Sequence, residues 1–361
     1  MNPIRVGLIG LGNVGTGVAR LLTEHADRIA RRAGRPVVVT RVAVRNSSRP
    51  RHVTMDARLV TTDPLAVAGA EDVDVVVELM GGLCPARKVV HTALEAGKDV
   101  VTANKALLCE HGPELFAAAR QRGRCLAFEA SVAGGIPIIG VLGQSMTANQ
   151  ITAIEAIING TSNFILTEMF RTRASYEDTV TEAQRLGYAE ADPAMDVNGT
   201  DAAQKLTILA QLAFGTRVLP GEFPVQGIDR IEQTDLVYAD ELGYAIKLLA
   251  TARLTKGELE MHVQPTFIRH GRPLAQVNGA HNMIARPATP SARRGTRAPA
   301  PARCRPLHPS WRTSSMWPPA APQSHSRAST CGASSRRTGG NRPPPSIGGI
   351  TCDSMSTTDR T

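Results

Sequence analysis

The chain has 361 residues, a hydrophobic content of 42% and a formal net charge of +9. No apolar run approaches the roughly 18 residues that a membrane-spanning helix needs, and the first residues lack a signal-peptide pattern, so we expect a cytoplasmic protein without a membrane partner. The six cysteines form no C-x-x-C pair, which argues against a zinc site or a disulfide framework.

The positive charge is concentrated in the segment 286–361. This segment contains twelve Arg and two Asp but no Lys or Glu, so it carries +10 and leaves −1 for the rest of the chain. We therefore expect no nucleic-acid partner for the folded part. The segment also holds half of the 24 prolines and no Val, Phe or Tyr. This composition predicts a disordered tail, which we interpret as an out-of-frame reading of the gene; the alternative is a nucleic-acid or membrane arm.

The first predicted strand, 4–9, runs into a glycine-rich turn, and a helix is predicted over 16–24. The turn has the pattern G-x-G-x-x-G, and its candidate cofactor-binding residues are Gly10, Gly12, Asn13, Val14 and Gly15. In dinucleotide-binding folds the first glycine makes the turn, the second admits the pyrophosphate and the third lets the helix pack on the strand. The pattern therefore predicts a site for NAD or NADP; the alternative is a plain tight turn.

The next strand, predicted over 37–44, is followed by Arg45. Folds specific for NAD usually place Asp or Glu here to bind the ribose hydroxyls. Arg45 suits the 2′-phosphate of NADP instead, with Arg49 or Arg51 nearby, so the sequence favours NADP over NAD. The alternative is a solvated basic loop.

Strands and helices continue to alternate up to residue 130. The strands are predicted over 73–79, 99–102 and 125–129, and the helices over 85–95 and 113–122. This alternation predicts an α/β fold, with a doubly wound Rossmann domain over 1–130. Lys105 follows a strand and so is placed at the carboxyl edge of the sheet, where such folds bind ligands.

A second domain, of the α+β type, is predicted over 131–285. It begins with a glycine-rich turn whose carbonyl groups, with the Glu129 carboxylate, suit a hard cation; a simple hinge is the alternative. Further elements are predicted as strands over 151–158, 245–254, 259–265 and 274–277 and as helices over 163–172 and 176–186. The histidines in this domain show no ligand spacing and are predicted to be structural: His262, His270 and His281.

An acidic run within 186–209 leads into another helix. Its charged residues are Glu190, Asp192, Asp196, Asp201 and Lys205. Thr200 is predicted as the N-cap of the helix, and Asp201 lies in the first turn, where the helix dipole favours an anion.

The helix pattern also predicts which of its faces is buried. Asp201 and Lys205 are four residues apart and share a face with Ile208, so this face is expected to be buried. The polar side chains on another face are expected to meet solvent: Gln204, Thr207 and Gln211. A carboxylate and an amine on a buried face indicate a reactive cleft; the alternative is a semi-buried ion pair.

These motifs together resemble homoserine dehydrogenase of the single-function type. The resemblance covers residues 1–284 and rests on the segments GLIGLGNVGTGV, VTANKALL, FEASVAGGIPII, INGTSNFIL, GYAEADPAMDVNGTDAAQKL and LAQVNGAHNMI. It implies reversible, NAD(P)H-dependent reduction of L-aspartate 4-semialdehyde to L-homoserine, on the route to threonine, methionine and isoleucine. It also implies a homodimer formed through the second domain.

The resemblance assigns a role to each candidate residue. Lys205 would be the acid–base group, Asp201 would orient Lys205 or the substrate, and Lys105 would lie between nicotinamide and substrate. Glu190 and Asp196, with Asp201, would bind the substrate, and Gly187 would lie where cofactor and substrate meet. A sodium ion near the hinge is implied, with the ligands Glu129, Val132, Gly134 and Ile136.

After residue 284 the sequence departs from the pattern of the family, and we expect from this a poorly folded or inactive chain. Two alternatives remain open. One is a truncated pseudoenzyme that keeps cofactor binding, and the other is a different two-domain NADP oxidoreductase that acts on a small carbonyl compound. Turnover of aspartate semialdehyde separates these alternatives from a homoserine dehydrogenase.

Overall fold

The structure is a computed structural model that describes residues 2–49, 53, 55–287 and 293–299; for 286–287 and 293–299 it describes the backbone alone. No helix in these ranges is long and apolar enough to cross a membrane. The tail predicted for 286–361 falls largely outside the described residues. Its described parts are Arg286 and Pro287, which end a strand, and Arg293–Pro299, which forms a strand where the composition predicted none.

The first half of the described chain forms a six-stranded parallel sheet with helices between the strands. The strands are β1 (Ile4–Ile9), β2 (Val37–Ala43), β3 (Val60–Thr61), β4 (Val75–Glu78), β5 (Asp99–Thr102) and β6 (Leu126–Ala127). The helices are α1 (Asn13–Glu24), α2 (Ala26–Ala33), α3 (Pro64–Gly69), α4 (Cys84–Glu95) and α5 (Lys105–Gln121). The strand order β3-β2-β1-β4-β5-β6 is that of a doubly wound Rossmann sheet, as predicted. The order reverses beside β1, which places a ligand crevice at the end of that strand.

Helix α5 begins eight residues before its predicted start at Pro113. Asn104 caps it, because its Oδ1 accepts the N–H of Leu107 at 3.1 Å. The first turns bury Leu107 and Leu108, which stabilises the helix upstream of the proline. The prediction gave too much weight to the preference of proline for the first turn of a helix. As a result, Lys105, which was predicted to follow a strand, is the first residue of α5.

The second half contains a five-stranded antiparallel sheet of order β11-β10-β7-β8-β9. Its strands are β7 (Ala153–Ile157), β8 (Tyr244–Thr255), β9 (Glu258–Arg269), β10 (His281–Pro287) and β11 (Arg293–Pro299). The helices are α6 (Ile138–Gly140), α7 (Gly160–Thr172), α8 (Tyr176–Arg185), α9 (Ala194–Val197), α10 (Thr200–Phe214) and α11 (Gln233–Glu241). Helices α7, α10 and α11 contact β8, and one large core joins them to Leu108 and Phe128 of the first half.

The prediction of a strand over 274–277 is wrong. Pro273–Gln276 forms a 3-10 helix, and the strand starts later, at His281. Leu274 and Ala275 are consecutive and both buried, which an alternating strand does not allow when only one of its faces is covered. The proline at the first position of the turn favours the helical conformation.

Two predictions for α10 are also wrong. The N-cap is Gly199, with a φ of 86°, and Thr200 is the first helical residue. The expected solvent face is covered by α5: Thr207 is 0% exposed, and the Cβ position of Gly112 lies 3.1 Å from Oε1 of Gln211. Helical periodicity cannot show that a helix from the other half packs on the polar face. The expected buried face is confirmed, since Asp201 is only 6% exposed.

Candidate active site

The glycine turn after β1 has the geometry of a dinucleotide-binding turn. Gly10 has a φ of 100°, and a Cβ on Gly15 would overlap the carbonyl oxygen of Gly10, so only glycine lets α1 start this close to the strand. The Cβ position of Gly12 meets no atom of the described residues within 4 Å, which leaves room for a phosphate. Asn13 is the first residue of α1, and Val14 is 57% exposed beside this space.

Arg45 is exposed just beyond the end of β2, at the same edge of the sheet as the glycine turn. The two are held together because the N–H of Gly10 donates to the carbonyl oxygen of Ala43 at 2.9 Å. Arg49 is also exposed nearby in the chain, and Arg51 lies outside the described residues. A cation at this edge is suited to a phosphate on the adenosine ribose.

A buried carboxylate supports the loop opposite the glycine turn. Glu78, the last residue of β4, is 0% exposed, and its Oε1 accepts the N–H groups of Met80 at 2.9 Å and Gly81 at 3.2 Å. The hydroxyl of Thr102 donates to its Oε2 at 2.6 Å. The role of Glu78 was not predicted from the sequence, although a carboxylate near the end of the strand predicted over 73–79 was a usable signal.

The centre of the site is Asp201, whose carboxylate lies between two lysines. Lys205 Nζ donates to Oδ2 of Asp201 at 2.6 Å and to the carbonyl oxygen of Ile158 at 2.9 Å. Lys105 Nζ, from the first half of the chain, lies 3.4 Å from the other oxygen, Oδ1. The structure therefore brings all three candidate catalytic residues together.

The charges of the two lysines control the ionisation of Asp201. Burial of the Asp201 carboxyl favours the neutral form, but the positive charges of Lys205 and Lys105 and the hydrogen bonds from Lys205 and Asn159 outweigh it, so the pKa of Asp201 falls below its usual value. Asp201 is therefore an anion at neutral pH. An anion in this position holds the Lys205 amine in one orientation.

Asp196 and Asn159 complete this cluster. The side-chain amide of Asn159, at the end of β7, donates to Oδ1 of Asp196 and to Oδ2 of Asp201, both at 2.8 Å. Burial, together with the nearby charge of Asp201, raises the pKa of Asp196. No role was predicted for Asn159 from the sequence. The available signal was its position just after the strand predicted over 151–158 and before a predicted helix, where Asn is a preferred N-cap.

Two further candidate residues lie in the turn between α8 and α9. Gly187 has a φ of 76° and closes the end of α8, because its N–H donates to the carbonyl oxygen of Gln184 at 3.0 Å. Glu190 is exposed, and its carbonyl oxygen accepts a hydrogen bond from the Gln184 side chain at 3.1 Å. Their assigned contacts with substrate and cofactor stay predictions.

The expected cation ligands lie around the turn that follows Glu129. The Glu129 carboxylate accepts the N–H groups of Ile139 at 2.9 Å and Gly140 at 3.0 Å, and burial raises its pKa. Val132 and Ile136 are buried and Gly134 is half-buried. The carbonyl oxygen of Ile136 already accepts the N–H of Ile138 at 2.8 Å. The cation site stays a prediction.

The first half is a Rossmann sheet with a glycine turn suited to phosphate, and the α+β half places Lys205 and two carboxylates next to Lys105 of that first half. This arrangement defines the two-domain class of NAD(P)-binding oxidoreductases. Two family models match the chain: "Homoserine dehydrogenase, NAD binding domain" over residues 10–129 and "Homoserine dehydrogenase" over residues 137–292. A homoserine dehydrogenase structure from Thiobacillus denitrificans superposes with a TM-score of 0.78 at 46% identity, covering 83% of this chain and 70% of that one. The chain belongs to the homoserine dehydrogenase family.

Other relatives agree with this assignment. A homoserine dehydrogenase of Pseudomonas aeruginosa is 48% identical over 284 residues, which are 79% of this chain and 65% of the relative. A putative homoserine dehydrogenase structure from Archaeoglobus fulgidus has a TM-score of 0.74 at 30% identity and covers 83% of this chain and 94% of that one. The chain thus spans just under two thirds of the length of the curated relative.

Proposed function

We propose that the chain catalyses the reversible reduction of L-aspartate 4-semialdehyde to L-homoserine. The observation that supports this most is the arrangement of Lys205, Asp201 and Lys105, in which one buried carboxylate holds an amine from each half of the chain. The site therefore offers a proton donor in the second half, next to the edge where the first half binds a nucleotide.

Each residue of the site has its own role in the proposed reaction. Lys205 Nζ gives a proton to the aldehyde oxygen during reduction and takes one from the hydroxyl group in the reverse direction. Asp201 keeps that amine oriented, and Asp196 and Glu190 attract the substrate ammonium group by their negative charge. Lys105 would lie between nicotinamide and substrate, and Gly187 would lie where cofactor and substrate meet. The nicotinamide nucleotide, when bound, supplies or accepts the hydride.

The proposal is tested by following NADPH oxidation in the presence of aspartate semialdehyde. The departure after residue 284 predicted a poorly folded or inactive chain, but the described residues form both sheets and bring Lys205, Asp201 and Lys105 together. We therefore expect turnover of this substrate and none of small aldehydes that lack an amino group, because the carboxylates recognise an ammonium group. NADPH binding without any turnover would instead support the pseudoenzyme alternative, and turnover of simple aldehydes would support a different oxidoreductase.

We further propose that NADP is preferred over NAD, because a cation stands where a ribose-binding carboxylate would be expected. Replacing Arg45 by Ala is predicted to weaken NADPH binding about tenfold and to leave NADH binding unchanged, since only NADPH carries the 2′-phosphate. Fluorescence titration with both nucleotides measures this. The matched control is Arg28→Ala, on the exposed part of α2, which should change neither affinity. An equal loss of affinity for both nucleotides would show that Arg45 does not bind the 2′-phosphate.

A sodium ion at the turn after Glu129 and a homodimer stay predictions from the resemblance, as does the cytoplasmic location. The oxygen-rich turn beside the Glu129 carboxylate is chemically suited to sodium. The exposed aromatic ring of Phe267, 61% exposed on β9, suits a contact with a second copy. Sedimentation tests the homodimer. Thermal unfolding in sodium and in choline salts at equal ionic strength tests the ion, since only a sodium site would respond to the exchange.

A further inference from the structure

Asn159 makes contacts that reach beyond its own helix. It is 4% exposed and is the N-cap of α7, where its Oδ1 accepts the N–H of Ser162 at 2.7 Å. Its Nδ2 group gives one hydrogen to Oδ1 of Asp196 and the other to Oδ2 of Asp201, each at 2.8 Å. Both hydrogens of the amide are therefore used on carboxylates, and its oxygen is used on the backbone.

We propose that Asn159 is a positioning residue that holds Asp196 and Asp201 side by side in their charged forms, and that it thereby sets the lower pH limit of the reaction. This inference rests on the proposed function for its kinetic part. Its physical basis is the cost of placing two carboxylates together in a buried site, which shared N–H donors reduce.

The charged groups that face Asn159 in the described residues come from three helices. Asp196 lies on α9, Asp201 and Lys205 lie on α10, and Lys105 lies at the start of α5. The two lysines both contact Asp201, at 2.6 Å and 3.4 Å. Within the described residues no lysine forms an ion pair with Asp196. Its charged form is stabilised most by the hydrogen bond from Asn159, and less by the charge of Lys205 and a hydrogen bond with Thr161.

The ionisation of the two carboxyl groups is consistent with this role. Burial and the charge of Asp201 raise the pKa of Asp196, whereas the hydrogen bond from Asn159 lowers it. Loss of the two N–H donors would therefore favour protonation of Asp196 at a higher pH. A protonated Asp196 no longer attracts the substrate ammonium group, so the variant would lose activity first at the acidic end of its pH range.

The test is the Asn159→Asp variant. The new side chain has the same shape and still caps α7, since Asp is as good an N-cap as Asn. It lacks both N–H donors and adds a third carboxylate. We expect kcat/KM for aspartate semialdehyde to fall at least about tenfold at neutral pH. In the pH profile of kcat/KM, the loss of activity on the acidic side should move up by about one pH unit.

The matched control is Asn198→Asp. Asn198 is exposed just before α10, the helix that carries Asp201, and its Oδ1 accepts the N–H of Thr200 at 2.9 Å, a contact that Asp preserves. The Asn198→Asp substitution adds the same negative charge without removing a hydrogen-bond donor from Asp196 or Asp201. We expect its pH profile to match that of the wild type, and a shift as large as that of Asn159→Asp would overturn the proposal.

A second readout does not depend on turnover. A carboxylate at position 159 would have a raised pKa in the folded state, so the stability that it contributes is present at low pH and lost as the pH rises through that value. The deficit of Asn159→Asp relative to wild type should thus be small near the ordinary pKa of Asp and grow towards neutrality. A deficit that is constant with pH would indicate a purely structural role and overturn the proposal.

The pH profile and the stability measurement distinguish a failure of the proposed function from a failure of the proposed role of Asn159. If the wild-type chain turns nothing over, the proposed function fails, and the pH-dependent stability deficit alone decides the role of Asn159. If Asn159→Asp does not fold, Asn159→Ser replaces it, because the hydroxyl group keeps the cap and can donate to only one carboxylate. We expect a shift of the acidic limb in the same direction but smaller, and no shift would overturn the proposal.

Discussion

Replacing Lys205 by Ala should reduce turnover of aspartate semialdehyde by about a thousandfold, because the group proposed to transfer the proton is removed. NADPH affinity should not change, since the glycine turn lies in the other half of the chain. The free energy of unfolding should fall little, because Asp201 keeps its ion pair with Lys105 and its hydrogen bond from Asn159. Steady-state NADPH oxidation and nucleotide titration measure these effects separately.

The control for this experiment is Lys88→Ala, which removes an exposed lysine from α4. It should behave like the wild type in both assays. Turnover by Lys205→Ala within tenfold of the wild type would mean that another group, or water, provides the proton, and the assignment of Lys205 would then be abandoned.

Replacing Asp201 by Asn should destabilise the folded chain by about 3 kcal/mol at neutral pH, because two lysine ammonium groups lose their carboxylate. This is the lower end of the range for broken buried pairs, since the Lys105 side chain is 34% exposed and partly screened by water. The variant should also lose most of its activity, because the Lys205 amine is no longer oriented.

The effect should depend on pH in a defined direction. The pKa of Asp201 is lowered in the folded state, so its contribution to stability is present above the unfolded pKa of Asp and is lost as the pH falls through the folded value. Urea unfolding of wild type and variant should therefore differ most at neutral pH and converge in acid. Asp72→Asn, which breaks a half-exposed pair with Arg41, should cost less than about 1 kcal/mol at any pH. A loss for Asp201→Asn no larger than that of the control would contradict the prediction.

The sequence predicted the Rossmann sheet well because its signals are local. The strand β1 and its glycine turn lie together within the first 15 residues, and β5 was predicted with its observed ends. Each of these segments carries its own pattern of buried or turn-forming residues. Boundaries failed where two local rules competed, as at Pro113, which lies within α5 although proline favours a helix start.

The candidate site could be predicted only in part, since contacts across the chain leave little trace in local patterns. The spacing of Asp201 and Lys205 indicated a shared face, but the approach of Lys105 to the same carboxylate depends on how the two halves pack. The burial of Thr207 by α5 and the double donation by Asn159 depend on packing in the same way. The functional roles of these residues stay predictions until the variants are measured.

The two lysine distances at Asp201 differ in kind as well as in length. The 2.6 Å contact with Lys205 joins neighbours one turn apart on one helix, so that helix's own rigidity fixes it. The 3.4 Å contact with Lys105 spans the two halves, so a tilt of one half against the other would change this distance and not the one to Lys205. Such a tilt would therefore leave the spacing between the Lys205 amine and the carboxylate unchanged.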